Sequence, residues 1–92
     1  MKIVESDEYK IRLKEVTNYI KQDKKSAAIN FAKELRKKIR ELPDNPYMCS
    51  TSYYFKENNV RDMTLKKYTV VYEVKPDEKV IEILDIFNRN KP

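Results

Sequence analysis

The sequence predicts an α+β domain of order β-α-α-β-β-β, an antiparallel meander sheet with a helical hairpin packed on one face. Three observations predict it. Apolar residues recur at helical spacing in two stretches between Tyr9 and Leu42. From Val60 onward they alternate at period two or run continuously, as in strands. Pro43 separates the two regimes. The 92 residues suffice for one core, so residues 1–92 are read as a single domain.

The elements follow in order. Lys2 to Glu5 is a short first strand. Ser6 or Asp7 then caps a helix, because either side chain accepts from its free N–H groups. Tyr9, Leu13, Val16 and Ile20 are spaced 4, 3 and 4, one helical face. Gln22, Asp23 and Lys24 interrupt it. In the second helix Ala28, Phe31, Ala32, Leu35, Ile39 and Leu42 share one side, while Lys33, Arg36, Lys37 and Arg40 lie largely off it. Glu34 and Lys38 form a favourable i,i+4 pair. Pro43 ends the helix, since the residue before proline disfavours the helical region.

Asp44, Asn45 and Pro46 read as a turn. Ser52 to Phe55 is either a short strand or an ordered loop, and Asn58-Asn59 is a further turn. Val60 to Leu65 is a strand, with Lys66-Lys67 as its turn. Tyr68, Val70, Tyr72 and Val74 then alternate with Thr69, Val71 and Glu73, a strand with one strongly apolar face. Lys75 to Lys79, containing Pro76-Asp77, makes a hairpin turn. Val80 to Phe87 is nearly all apolar, as a central strand requires.

Composition removes several function classes. There is no histidine, the commonest general base and metal ligand. Cys49 is the one cysteine, so no disulfide, no zinc site and no base-activated thiol is expected. Glycine is absent, which excludes every Gly-rich phosphate loop. No cofactor and no metal are expected. No apolar run approaches a membrane span and MKIVESDEYK lacks a signal-peptide core, so the expected location is cytoplasmic. Between Lys24 and Leu42 seven basic residues oppose only Glu34 and Glu41, a surplus equal to the whole net charge of +5. Such a stripe suits polyanions or an acidic partner, or is simply a solvated face.

The element order, together with VRDMTLKKYTVVYEV and ILDIFNRNKP, resembles the RelE/ParE superfamily of bacterial toxins. The order matches over the whole chain, and the motifs are specific from about Arg61 onward. The helix ending ELPDNP is similar to the usual end of the family's second helix. The resemblance implies the toxin half of a type II toxin–antitoxin pair, neutralised by a small antitoxin that wraps around it.

The superfamily holds two activities. RelE-like members cleave mRNA in the ribosomal A site; ParE-like members inhibit DNA gyrase. RNA cleavage by 2′-OH attack needs a proton acceptor, a proton donor and a cation for the phosphate. In RelE-like enzymes these are paired lysines on the first meander strand, arginines on the next strands, and an aromatic or His near the C-terminus. Here the matching positions offer Arg61 and Asp62, then Lys66 and Lys67 in the turn. Thr69 stands where RelE has Arg. Arg89 matches a tail arginine, and no Tyr or His follows it. Guanidinium scarcely deprotonates, so Arg61 and Arg89 make a poor acid–base pair.

The ParE branch is therefore favoured, with gyrase as target and no hydrolysis. The alternatives are a ribosome-dependent RNase using Arg61, Lys66, Lys67 and Arg89, and a non-toxic interaction module on the same fold. Arg61, Arg89 and Lys91 are the candidate target- or nucleic-acid-binding residues. Tyr53, Tyr54 and Phe55 are the candidate antitoxin-binding cluster, since aromatics serve as anchors. Arg61 is placed on the open face of the sheet or in an ion pair with Asp85 or Glu73. Asp85, sharing a face with Ile81, Ile83 and Phe87, holds Arg61 or Arg89 in place or acts as a general base. Tyr68 and Tyr72 share a face suited to base stacking or to core packing.

Overall fold

The computed structural model describes residues 1–89 of the chain. Its elements are β1 (Lys2–Glu5), α1 (Asp7–Asp23), α2 (Lys25–Glu41), β2 (Ser50–Thr51), β3 (Val60–Leu65), β4 (Tyr68–Lys75) and β5 (Val80–Asn88). They build one five-stranded sheet of order β1-β5-β4-β3-β2. β3, β4 and β5 form the expected antiparallel meander. β1 adds parallel to β5, with Lys2 opposite Val80 and Glu5 opposite Ile83, so the sheet is mixed. The meander's last strand runs the same way as the first, and the helical hairpin is the crossover that parallel strands require.

Ser6 fixes the start of α1. Its Oγ accepts from the Tyr9 N–H at 3.0 Å and donates to the Leu84 carbonyl at 2.9 Å, so one side chain caps the helix and ties it to β5. Lys24, extended at φ −156°, is the single residue between the helices. Leu42 ends α2 and is fully buried, and Pro43 follows it. The core lies between the hairpin and one sheet face. Tyr9, Val16, Phe31, Leu35, Ile39 and Leu42 meet Met63, Leu65, Tyr68, Val70, Tyr72, Val74, Ile81, Ile83 and Ile86 there. Tyr68 and Tyr72 are core residues, and the Tyr68 ring stands edge-on to Phe31 at 5.2 Å.

Two local features depart from the alternation pattern. The edge strand is Ser50–Thr51, and Ser52 to Phe55 is the ordered loop. Ser52 Oγ accepts from the N–H groups of Tyr54 and Phe55 at 3.1 and 3.2 Å, which turns the chain off the sheet. In β5, Tyr72 pairs with Ile83 but Val71 pairs with Asp85, so a β-bulge admits Leu84 as an extra residue. The bulge returns Ile86 to the core and sends Asp85 away from Ile81 and Ile83.

Turns manage without glycine at a cost. Lys66 and Lys79 occupy the left-handed region at φ 55° and 56°. An L-residue pays roughly 1–2 kcal/mol there.

Candidate functional site

The face of the sheet away from the helices is the candidate site. Register places Asp62 opposite Val71, Glu73 opposite Glu82, and Thr69 opposite Phe87 on that face. Its acids Asp62, Glu73 and Glu82 are accompanied on the meander by Lys75, whose Nζ is tied to Glu82 at 2.8 Å. That contact holds the Lys75 pKa above its ordinary value.

An aromatic loop covers part of this face. The Tyr54 ring meets Phe87 of β5 edge-on at 4.9 Å and Tyr53 at 5.3 Å. Under it Val71 and Thr69 are only 0% and 3% exposed, although neither belongs to the helix-side core. Tyr53, Tyr54 and Phe55 remain largely exposed on the outside. Two residues that the sequence did not mark as binding residues hold the loop. Ser52 caps its turn, and Asp62 Oδ2 accepts from the Tyr53 N–H at 2.9 Å. Asp62 Oδ1 is buried without a partner among the described residues. A serine directly before an aromatic run was the available signal.

Arg61 lies elsewhere. It pairs with Tyr72 across the β3–β4 register and so shares the helix-facing side. Its Nε donates to the Asn58 carbonyl at 3.0 Å. Its Nη1 donates to the carbonyls of Cys49 at 2.9 Å and Tyr47 at 3.4 Å. The guanidinium also sits 4.9 Å from the centre of the Tyr47 ring. Period two dictates this placement, because its neighbours Val60 and Asp62 take the open face. Beside it, Tyr72 donates its hydroxyl to the Pro46 carbonyl at 2.8 Å. Burial pushes the Tyr72 phenol up, and the same cause raises Tyr9 and Tyr68.

Asp85 pairs with neither Arg61 nor Arg89. Its Oδ1 accepts from the Ile86 N–H at 2.8 Å and faces Arg12 of α1 at 3.8 Å. It stabilises the bulge.

The remaining basic candidates gather at one end. Lys66 and Lys67 form the exposed β3–β4 turn, and the Arg89 N–H donates to the Lys67 carbonyl at 2.8 Å. Lys66 Nζ is 3.8 Å from Glu34. Arg61 is four residues of β3 from Leu65, roughly 13 Å along the strand, so the four candidates do not converge. Lys91 lies outside the described residues. No group of acidic or thiol ligands suited to a metal exists among the described residues. No helix there is long and apolar enough to cross a membrane.

Residues 5–91 match the family described as ParE toxin of type II toxin-antitoxin system, parDE. The chain belongs to the ParE toxin family. It is thus the toxin component of a type II toxin–antitoxin system, a class in which a cognate antitoxin is the partner. Its fold is similar to that of a solved structure titled chromosomal ParDE TA system from P. aeruginosa. That match has 18% identity and a TM-score of 0.74, and covers 96% of this chain and 95% of the other. The isolated E. coli RelE toxin matches at 12% identity and a TM-score of 0.69, covering 99% of this chain and 86% of RelE. A chain of the intact E. coli RelBE toxin–antitoxin complex matches at 12% and 0.68, covering 98% of each. No curated protein matches in sequence. On this chain the open sheet face carries Asp62, Glu73 and Glu82 with Lys75 and the aromatic loop, while Lys66, Lys67 and Arg89 lie at one end.

Proposed function

We propose that this ParE-family toxin arrests growth by binding DNA gyrase in the cytoplasm and does not cut mRNA. The acidic open face of the sheet carries this reading. A phosphodiester reaction there would need cations near the developing charge. Asp62, Glu73 and Glu82 would instead repel the substrate, and Lys75 is engaged by Glu82. Position 69, where an RNase of this superfamily would have Arg, is a buried threonine. Tyr68 and Tyr72, with phenol pKa values raised by burial, hold their protons too tightly to act as bases near neutral pH.

The antitoxin is assigned to the Tyr53–Tyr54–Phe55 loop, an exposed aromatic cluster of the kind that anchors interfaces. Arg89 is assigned to the target-binding rim together with Lys66 and Lys67, and Lys91, which lies outside the described residues, is assigned to target binding from the sequence alone. Arg61 is not part of that rim, because its guanidinium clamps the segment after α2.

Induction without the antitoxin should stop growth, and co-expression should relieve it. A domain that is only an interaction module would show no growth defect at sound expression. The purified chain should inhibit gyrase supercoiling and leave mRNA intact in an in vitro translation reaction read by primer extension. Codon-phased cuts would overturn the gyrase reading. They would favour the ribosome-directed alternative, for which the clustering of Lys66, Lys67 and Arg89 is the supporting observation.

A further inference from the structure

The outward surface of the helical hairpin separates charge. Lys10, Lys14 and Lys21 fall on one line of α1 with Thr17, at spacings of 4, 3 and 4. On α2, Lys33, Arg36 and Arg40 form a second line, while Lys37 turns with Glu34 and Glu41 to the groove beside β3. All six cations of the two rows are exposed, and none enters an ion pair or side-chain hydrogen bond among the described residues. The rows flank the groove between the helices, where Arg36 and Arg40 form one wall and Leu13 and Thr17 the other.

Most acids of the helices face elsewhere. Glu15 lines a cleft with Arg12 and Asn88 on the β5 side, and Asp23 lines one at the hairpin tip. Glu34 and Glu41 line the groove beside β3. Glu8 is one helical turn from Arg12 and two from Glu15, on the β5 flank. Only Glu5, from β1, and Asp7, in the first turn of α1, lie near the two rows. Six cations against two carboxylates leave a local surplus of four.

The groove floor decides what kind of partner fits. Tyr9, Leu35 and Ile39 line it but are already only 1%, 2% and 9% exposed. An amphipathic helix laid there would bury little new apolar surface, so most of its driving force would be missing. The attraction left is electrostatic, and it suits a polyanion with regularly spaced charge.

We propose that this face binds duplex DNA through its two phosphate backbones, without reading bases. The α1 row spans eleven residues, about 16 Å, and the α2 row seven, about 10 Å. Two cation rows on neighbouring helices match the two phosphate chains that border a DNA groove; a single strand offers only one. The hairpin is roughly 20 Å broad, two helices of about 10 Å each, and cannot enter a major groove about 12 Å wide. It therefore lies on the backbones, which position a protein but carry no sequence. This surface is separate from the sheet face and rim assigned to antitoxin and gyrase, and it does not depend on that assignment.

The test is fluorescence anisotropy of a labelled 20-base-pair duplex of mixed sequence with the purified full chain, over 50–300 mM salt. With four net positive charges engaged, log K should fall against log salt with a slope of about −3.6. Replacing Lys33, Arg36 and Arg40 by Gln keeps helix propensity and should bring the slope to about −1. Replacing Lys2, Lys56 and Lys79 by Gln removes the same net charge off the hairpin and should leave it at about −3.6. Circular dichroism checks that both variants are folded. Absent duplex binding at 50 mM salt, or the same slope for both triple variants, overturns the proposal. So does single-stranded RNA of equal length binding as tightly as the duplex, or polyglutamate competing as well as unlabelled DNA at equal charge.

Discussion

The ring of Tyr54 stands edge-on to the ring of Phe87 at 4.9 Å, although the two belong to opposite sides of the meander. A loop leaving the β2 edge thus crosses β3 and β4 to reach β5. It gives the open sheet face a small apolar layer over Val71 and Thr69. Tyr54→Ala should cost about 1–2 kcal/mol, the ring pair plus lost cover for Val71, measured as a lower urea midpoint. Tyr53 is 85% exposed, so Tyr53→Ala should shift stability by less than about 0.5 kcal/mol yet weaken antitoxin binding at least tenfold. Unchanged antitoxin affinity would remove the loop from that interface.

Arg61 is a structural clamp between β3 and the segment after α2. Arg61→Ala strands the Cys49 and Asn58 carbonyls and loses the Tyr47 contact, for about 2–3 kcal/mol. Arg61→Lys should recover less than half, because an ammonium cannot reproduce the fork. Toxicity of either variant should track the folded fraction in a thermal melt. Full stability with lost toxicity would return Arg61 to the target surface.

Arg89 should behave in the opposite way. Its described contact is made by the backbone N–H to Lys67, which alanine keeps. Arg89→Ala should therefore leave the melting temperature within 1–2 °C, about 0.3 kcal/mol for a domain of this size. Growth arrest should fall sharply. Undiminished arrest would make the side chain a solvated one.

Lys79 sits at φ 56° in the β4–β5 turn, where glycine has no Cβ to clash. Lys79→Gly should raise stability by about 0.5–1 kcal/mol, the relief of strain less the added freedom of the unfolded chain. A lower urea midpoint would show that the lysine is not strained there.

Alkali should unfold the protein steeply. Burial raises the phenol pKa of Tyr9, Tyr72 and Tyr68 above the ordinary value near 10. Above about pH 10 the unfolded chain gives up these protons while the folded one keeps them, so stability falls as pH rises. Each fully shifted phenol contributes up to about 1.4 kcal/mol per pH unit. Lys75 acts in the same direction, its stabilisation present below its unfolded pKa and lost as pH climbs through the raised folded one. Urea midpoints at pH 9 and 11 measure the slope. Tyr72→Phe should flatten it while costing about 1 kcal/mol at pH 7 through the Pro46 carbonyl. An unchanged slope in that variant would mean that Tyr72 does not titrate with unfolding.

Much of the fold is legible because it is local. Helical spacing at Tyr9, Leu13, Val16 and Ile20 names the buried face of α1, and Ser6 is a cap by chemistry alone. Alternation from Tyr68 to Val74 assigns the core side of β4 without reference to any partner. The candidate site is less legible. The same alternation, had it been carried from Tyr72 across to Arg61, would have put Arg61 on the helix side; the register that makes them neighbours is a pairing of distant residues.

Local periodicity and turn chemistry were enough to establish the element order and the core faces of α1, α2 and β4. Packing alone settled the rest. The β-bulge at Val71/Tyr72 inserts one residue into β5, and because side chains alternate with period two, that one residue redirects Asp85 to Arg12 and Phe87 to Tyr54. The parallel addition of β1 and the burial of Thr69 are likewise products of chain segments far apart in sequence. Their energies depend on which surfaces meet, and no window of neighbouring residues contains both partners.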